Sequence, residues 1–218
     1  MENVLTLIGA AGVVLDDGLI ADLRAALKGL GADVGAPDWL SPQRVCDIPF
    51  GHLAPEQADA AARHRLGALP VDVVAQAVAG RRKMLLVADM DSTMVTGETL
   101  DELADFAGIK DKIAAITARA MNGEIGFEAA LKERIGLLNG LPLSALEDTW
   151  KRVEYTGGAR TLVQTMKANG AYAVLVSGGF KFFTERVREE CGFHVDLANQ
   201  FIFTDGKLTG VEEPILGR

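Results

Sequence analysis

The alternation of apolar and polar positions divides the chain into segments before any chemistry is considered. Residues 4–10 form a short apolar stretch that reads as a strand, and residues 17–29 carry apolar side chains at helical spacing. Leu19, Ile20, Leu23, Leu27 and Leu30 would face inward, with Gly29 and Gly31 as stop signals. Residues 44–50 read as a second strand and residues 55–66 as an alanine-rich helix. The pattern over 70–82 predicts an apolar helix that closes in a basic hinge, Gly80-Arg81-Arg82-Lys83. Residues 84–88, Met-Leu-Leu-Val-Ala, are an unbroken apolar run, the pattern of a strand buried on both faces of a parallel sheet.

Helical periodicity then dominates. Thr99-Leu100-Asp101-Glu102 has the form of a capping box with Thr99 as N-cap, and Leu100, Leu103, Phe106 and Ile109 would line the helix it opens. A helix over 112–122 is closed by Gly123, and one over 127–138 gathers Phe127, Leu131, Ile135 and Leu138 on one face. Residues 158–170 predict a helix with Ala159, Leu162, Val163 and Met166 inward. A strand over 171–176 ends in Ser177-Gly178-Gly179, residues 180–191 are helical again, and 197–203 with 207–211 read as a hairpin turning at Asp205-Gly206. The stretch between the strands at 84–88 and 171–176 far exceeds one crossover helix. A helical module is therefore expected between two neighbouring strands, over their carboxyl ends.

Composition narrows the class. Among 218 residues, 49% are hydrophobic and 24% charged, which suits a globular protein with a proper core. The net charge of −8 argues against a nucleic-acid partner, which would select a basic face. Cys46 and Cys191 stand apart without metal-binding or redox spacing, so they read as buried thiols of a reducing compartment. The first residues lack a basic leader pattern, and no apolar run is long enough to span a bilayer. The expectation is a cytoplasmic protein without a membrane partner.

The chemistry concentrates just after residue 88. Asp89 and Asp91 stand one residue apart at the tip of the apolar strand, followed by Ser92 and Thr93. Ligands of open α/β sheets bind beyond the carboxyl ends of strands. Two acids there call for a compensating cation, and a hard divalent ion such as Mg2+ prefers oxygen ligands and leaves positions open for phosphate. Asp89 and Asp91 are both candidate metal ligands. Thr93 reads as a backbone-bonding support. Ser177 and Gly178, at the end of the second strand, would bring a hydroxyl and free N–H groups close to an anion. Arg134 shares the apolar face of its helix, and on spacing alone it reads as a structural arginine.

Asp89-Met90-Asp91-Ser92-Thr93 matches the Asp-x-Asp-x-Thr signature of the haloacid dehalogenase superfamily, and residues 84–210 resemble its phosphoserine phosphatases. The resemblance implies a Rossmann-like parallel α/β sheet with an inserted helical cap at about 95–155. It implies Mg2+-dependent hydrolysis of O-phospho-L-serine through an aspartyl-phosphate on Asp89 as nucleophile, with Asp91 as general acid and base, as in L-serine biosynthesis. It also implies that Glu98 holds the substrate ammonium, Arg134 its carboxylate, and that Met121 and Phe127 are apolar neighbours of the substrate. Residues 1–80 resemble the small α+β (ACT-like) domain that precedes such phosphatase domains, with residues 81–218 as the catalytic part. A homodimer through the N-terminal module is carried as the expected assembly.

The family pattern continues with a phosphate-neutralising lysine and an acidic Gly-Asp-Gly-x-Asn-Asp motif. Neither has a counterpart before Arg218: Lys207 falls in a turn, and Glu212-Glu213 precede Pro214 without a buried strand. The expectation is a piece of a longer chain, its core incomplete at the C-terminus and its strand at 84–88 left on a sheet edge. A phosphatase of another small phosphate ester and a catalytically dead amino-acid-binding or regulatory protein remain the alternatives. A phospho-acceptor signalling domain fits less well, because it keeps its acidic pair on a different strand from the phosphorylated aspartate.

Overall fold

The computed structural model describes residues 1–216. The chain divides into two compact units, Met1–Lys83 and Met84–Arg218, each with its own apolar core.

The first unit runs β1 (Asn3–Gly9), α1 (Asp17–Gly29), β2 (Asp33–Val34), β3 (Asp38–Ser41), β4 (Val45–Gly51), α2 (Pro55–Leu66) and β5 (Val71–Ala77). Its sheet has the order β2-β4-β1-β5, with β3 also pairing β4, and every pairing is antiparallel. Because strand side chains alternate between faces, Leu5, Leu7, Cys46, Ile48, Phe50 and Val73 point to one side. There they bury against Ile20, Leu23 and Leu27 of α1 and Ala58, Ala62 and Leu66 of α2. Asp16 caps α1 by accepting from the Leu19 N–H at 2.7 Å. On β1 and β4, Thr6 and Asp47 are register partners, and the Thr6 hydroxyl donates to Asp47 Oδ1 at 2.7 Å. The Arg81 guanidinium closes on both.

Two expectations fail in this unit. Residues 71–77 are a strand: the β-branched Val71, Val73 and Val74 follow Pro70, and pairing along β1 buries Val73, so period two prevails over a helix. Leu30 lies at the C-cap of α1, past its last turn, and is 53% exposed, while Leu19 is half-buried.

The second unit runs β6 (Leu85–Ala88), α3 (Thr99–Phe106), α4 (Lys110–Met121), α5 (Phe127–Leu137), α6 (Leu143–Trp150), α7 (Ala159–Ala168), β7 (Tyr172–Phe180), α8 (Lys181–Cys191), β8 (Val195–Asn199), β9 (Phe201–Thr204) and β10 (Lys207–Val211). Among the described residues β6, β7 and β8 form a parallel sheet in that order, and β9 pairs with β10 as a hairpin. Helices α3–α6 are inserted between the neighbouring strands β6 and β7. One core joins them to the sheet, running from Met90, Leu103, Leu131 and Ile135 to Leu175, Phe180, Phe183 and Val187. Asp196 on β8 is buried at 3% exposure, held by Thr184, Lys181 and Arg188 of α8.

The sheet differs from its sequence pattern in four places. β6 is not buried on both faces: it pairs only with β7, and Leu85 and Val87 are 57% and 59% exposed on the side that α7 and α8 do not cover. β7 does not stop at Val176 but continues through Ser177-Gly178-Gly179 to Phe180, and α8 follows it directly from Lys181. The run 197–203 is two strands broken at Gln200, the first in the parallel sheet and the second in the hairpin. Leu162 of α7 is 50% exposed rather than inward. The short strands β2 and β3 and the helix α6 lie outside the expected elements.

Candidate active site

The site begins where β6 ends. Met90 is buried in the core and anchors the turn by accepting N–H bonds from Met94 (2.8 Å) and Val95 (3.1 Å), so the carboxylates on either side of it stay at the strand tip. Asp89 is exposed, and its Oδ1 accepts from the Met90 N–H at 2.7 Å. Thr93 joins the same turn through its own N–H to Met90 O at 3.3 Å. Ser92 takes a left-handed conformation, φ 53°, which folds the chain back so that its N–H reaches Gly97 O (3.1 Å) and its hydroxyl reaches Glu98 Oε1 (2.7 Å).

Thr99 is not the N-cap of α3; Glu98 is, with its side chain turned away to Ser92. As first residue of the helix, Thr99 instead donates its N–H to Asp91 Oδ1 at 2.9 Å. Burial pushes the Asp91 carboxyl up to about 6; the Thr99 N–H opposes the shift, and the charges of Glu98 and Asp89 add to it. A raised carboxyl pKa suits a group that must first give and then take a proton.

The tip of β7 closes against this pair. A β-carbon on Gly179 would lie 3.0 Å from Asp91 Oδ2 and 3.0 Å from Ser177 Oγ, a contact so tight that one of these atoms would have to shift. The Gly179 N–H donates to Ser177 Oγ at 2.9 Å, leaving the hydroxyl proton free for an acceptor. From the inserted helices, Phe127 at the start of α5 sets its ring edge on Gly178, 3.0 Å from where a β-carbon would stand. Arg134, one turn from the end of α5, is half-buried, and its Nε donates to Ala130 O at 3.3 Å. Burial lowers its pKa against the pull of Asp101 and Glu98, so the guanidinium faces acids without an ion pair within 4 Å among the described residues. A cleft lined by Val95, Glu98, Thr99, Glu102, Arg152 and Glu154 opens beside Glu98.

The structure thus brings Asp91, Glu98, Ser177, Gly178 and Phe127 to the facing ends of β6, β7 and α5, with Asp89 at the same strand tip and Arg134 on the facing helix. Met121 is not gathered with them: it is the last residue of α4 and 84% exposed. Two contributors escaped the sequence pattern. Ser92 lies inside the acidic motif but its role depends on a left-handed turn. Asn199, buried at the end of β8, donates to Gly178 O at 2.9 Å; its only signal was a polar residue interrupting the apolar run 197–203.

The donors at the strand tip are all oxygen, as a hard cation requires, and Asp91 lacks a cationic partner close by. Among the described residues no group of three or more His, Cys, Asp or Glu side chains that could hold a metal ion gathers.

A family model for haloacid dehalogenase-like hydrolases matches residues 86–217. The chain belongs to that family. Its similar curated proteins include the phosphoserine phosphatase of Archaeoglobus fulgidus, 46% identical over 144 residues (65% of this chain, 42% of that one), and that of Methanocaldococcus jannaschii, 39% identical over 137 residues (62% and 65%). The chain therefore spans less than two thirds of the length of either relative. A substrate-bound phosphoserine phosphatase structure is 38% identical and superposes with TM-score 0.57 over 61% of this chain and 63% of the other. A haloacid dehalogenase family hydrolase of Salmonella enterica covers 98% of this chain and 73% of its own length at TM-score 0.77; at 24% identity it shares the fold.

Proposed function

We propose that this site hydrolyses O-phospho-L-serine to L-serine and phosphate through an aspartyl-phosphate on Asp89. One observation carries the reading: the acidic tip of β6 and the Ser-Gly-Gly tip of β7, distant in sequence, meet so closely that a β-carbon on Gly179 would stand 3.0 Å from Asp91 Oδ2. That contact supports a reading in which Asp91 as proton donor and Ser177 as anion-binding hydroxyl face one substrate, with Asp89 as nucleophile at the same strand tip. Phosphorus is attacked by an Asp89 oxygen as the bond to the serine oxygen breaks, and Asp91 supplies the proton that the leaving alkoxide takes. Asp91 then removes a proton from water as the water oxygen attacks phosphorus, and phosphate leaves with Asp89 restored.

Substrate selection rests on Glu98 for the ammonium and Arg134 for the carboxylate, two opposite charges for the two charges of an amino acid. Phe127 covers the phosphate side. Asp89, Asp91 and the Asp91 main-chain carbonyl would hold Mg2+, which supplies neutralisation of phosphate charge when bound. The reaction class fits the final step of serine synthesis in the cytoplasm, with a small-molecule substrate and neither nucleic acid nor membrane as partner. Residues 1–80, a βαββαβ arrangement with β2 and β3 sharing the second strand's place, fit an ACT-like module that could pair two chains. Residues 81–218 carry the phosphatase part with its cap at about 95–155.

The test is phosphate release from O-phospho-L-serine by this chain, by its Asp89→Asn variant, and by a chain extended with the lysine and acidic motif of the family pattern. Turnover lost on Asp89→Asn supports the reading. Silence in both the chain and its extension overturns it in favour of a binding protein.

A further inference from the structure

Asn199 has no place in the acidic or glycine motifs, yet its side chain is saturated at the edge of the site. It is 3% exposed at the last position of β8. One amide N–H donates to Gly178 O at 2.9 Å and the other to Leu216 O at 2.9 Å, while its carbonyl accepts from the Leu216 N–H at 2.6 Å. An amide with both donors and its acceptor engaged cannot rotate without breaking buried hydrogen bonds.

The bond to Gly178 acts on the peptide unit that the phosphate reading depends on. The carbonyl of the Gly178–Gly179 peptide is held by Asn199, and its N–H is held by Ser177 Oγ at 2.9 Å. Both polar ends are thereby fixed, and with them the lone pair through which Ser177 accepts. The Ser177 hydroxyl is left with its proton directed elsewhere. Glycine has no side chain to resist a peptide flip, and the β7–β8 register is irregular between Val176 and Phe180, so the strand ladder does not hold this peptide in a regular frame.

We propose that Asn199 is a positioning residue for the anion-binding turn, setting the Gly178–Gly179 peptide so that the Ser177 hydroxyl points its proton at a phosphate oxygen. The inference rests on the reading of Ser177-Gly178-Gly179 as the phosphate-binding turn. It does not require that the ester be phosphoserine. Asn199→Asp keeps the shape but sets a carboxylate oxygen against the Gly178 carbonyl, and Asn199→Ala removes the contact.

The test measures binding of inorganic phosphate and of L-serine by calorimetry to the wild-type chain and both variants, below each variant's melting temperature. The expected result is at least tenfold weaker phosphate binding in both variants with L-serine binding unchanged, because serine is read by Glu98 and Arg134. A merely structural role would weaken both ligands together or neither, and either outcome overturns the proposal. Should Asn199→Asp not fold, Asn199→Ser replaces it, restoring a small neutral donor and an expected intermediate affinity for phosphate; affinity equal to wild type in a variant lacking the donor overturns the proposal. Wild-type chain that binds phosphate without releasing it from phosphoserine would fail the proposed substrate and leave this test intact. Wild-type chain that binds no phosphate overturns both.

Discussion

The Ser92 hydroxyl donates to Glu98 Oε1 at 2.7 Å across a turn in which Ser92 itself sits at φ 53°. Two properties of one residue are thereby coupled, a backbone that non-glycine residues seldom adopt and a hydroxyl that fixes the carboxylate proposed to read the substrate ammonium. Ser92→Gly relieves the backbone and deletes the hydroxyl, whereas Ser92→Ala deletes the hydroxyl and keeps the strain. Both should raise KM for O-phospho-L-serine by about threefold to tenfold, the worth of an exposed hydrogen bond to a charge, with kcat little changed. Ser92→Gly should melt no lower than Ser92→Ala. A KM shift in the alanine variant alone would assign the effect to the backbone.

At Gly179 the constraint is steric. A methyl group there would meet Asp91 Oδ2 and Ser177 Oγ, each at 3.0 Å. Neither atom can retreat freely, since Asp91 is tied to the Thr99 N–H and Ser177 to the Gly179 N–H. Gly179→Ala should lower kcat/KM by about tenfold, because the neighbouring groups must shift by a few tenths of an ångström, while circular dichroism stays native. Steady-state kinetics on any accepted phosphate ester reads this, because the contact lies on the phosphate side.

Much of this arrangement was legible because local chemistry and tertiary structure agreed. The amphipathic stripe of α1 and the Pro55 start of α2 were visible in residue order, and so was the acidic strand tip with its glycine-bearing counterpart. What escaped was decided by partners far away in sequence. Val71–Ala77 reads equally as an apolar helix until β1 supplies an edge to pair with. Leu85 and Val87 read as buried until the sheet fixes them on the face that α7 and α8 leave open. Asn199 matters through Gly178, twenty-one positions earlier, a relation that no periodicity encodes. Met121 matched a pattern position, and its place at the exposed end of α4 follows from helix packing rather than from its own side chain.

Glu98 and Arg134 give the prediction that separates an amino-acid ester from other phosphates. Arg134 is half-buried, and burial opposes its charge while Asp101 and Glu98 sustain it. Such a cation is ready for an anion that brings its own desolvated contact. Arg134→Ala should cost about 2–5 kcal/mol in kcat/KM for O-phospho-L-serine, the range for truncating one partner of a buried charge pair, and Glu98→Ala, at an exposed carboxylate, about 1 kcal/mol. Hydrolysis of p-nitrophenyl phosphate, which has neither ammonium nor carboxylate, should change little. Equal losses on both substrates would assign the two residues to the cap's structure.

Asp196 supplies a prediction about acid stability in the second unit. Burial alone would raise its pKa, but the Thr184 hydroxyl at 2.6 Å, the Lys181 ammonium at 2.9 Å and the Arg188 guanidinium at 2.9 Å hold it below the ordinary carboxylate value. A folded-state pKa below the unfolded one means that the unfolded chain binds the proton more readily. Its stabilisation is therefore fully present above the unfolded value of about 4 and lost as pH falls through the lower folded value. Urea midpoints measured from pH 7 to pH 3 should fall for the wild-type chain below about pH 4. The Asp196→Asn variant should start lower at pH 7 because two cations lose their partner, and should fall less steeply over the acid range. Parallel curves for the two chains would show that other carboxylates govern the acid transition.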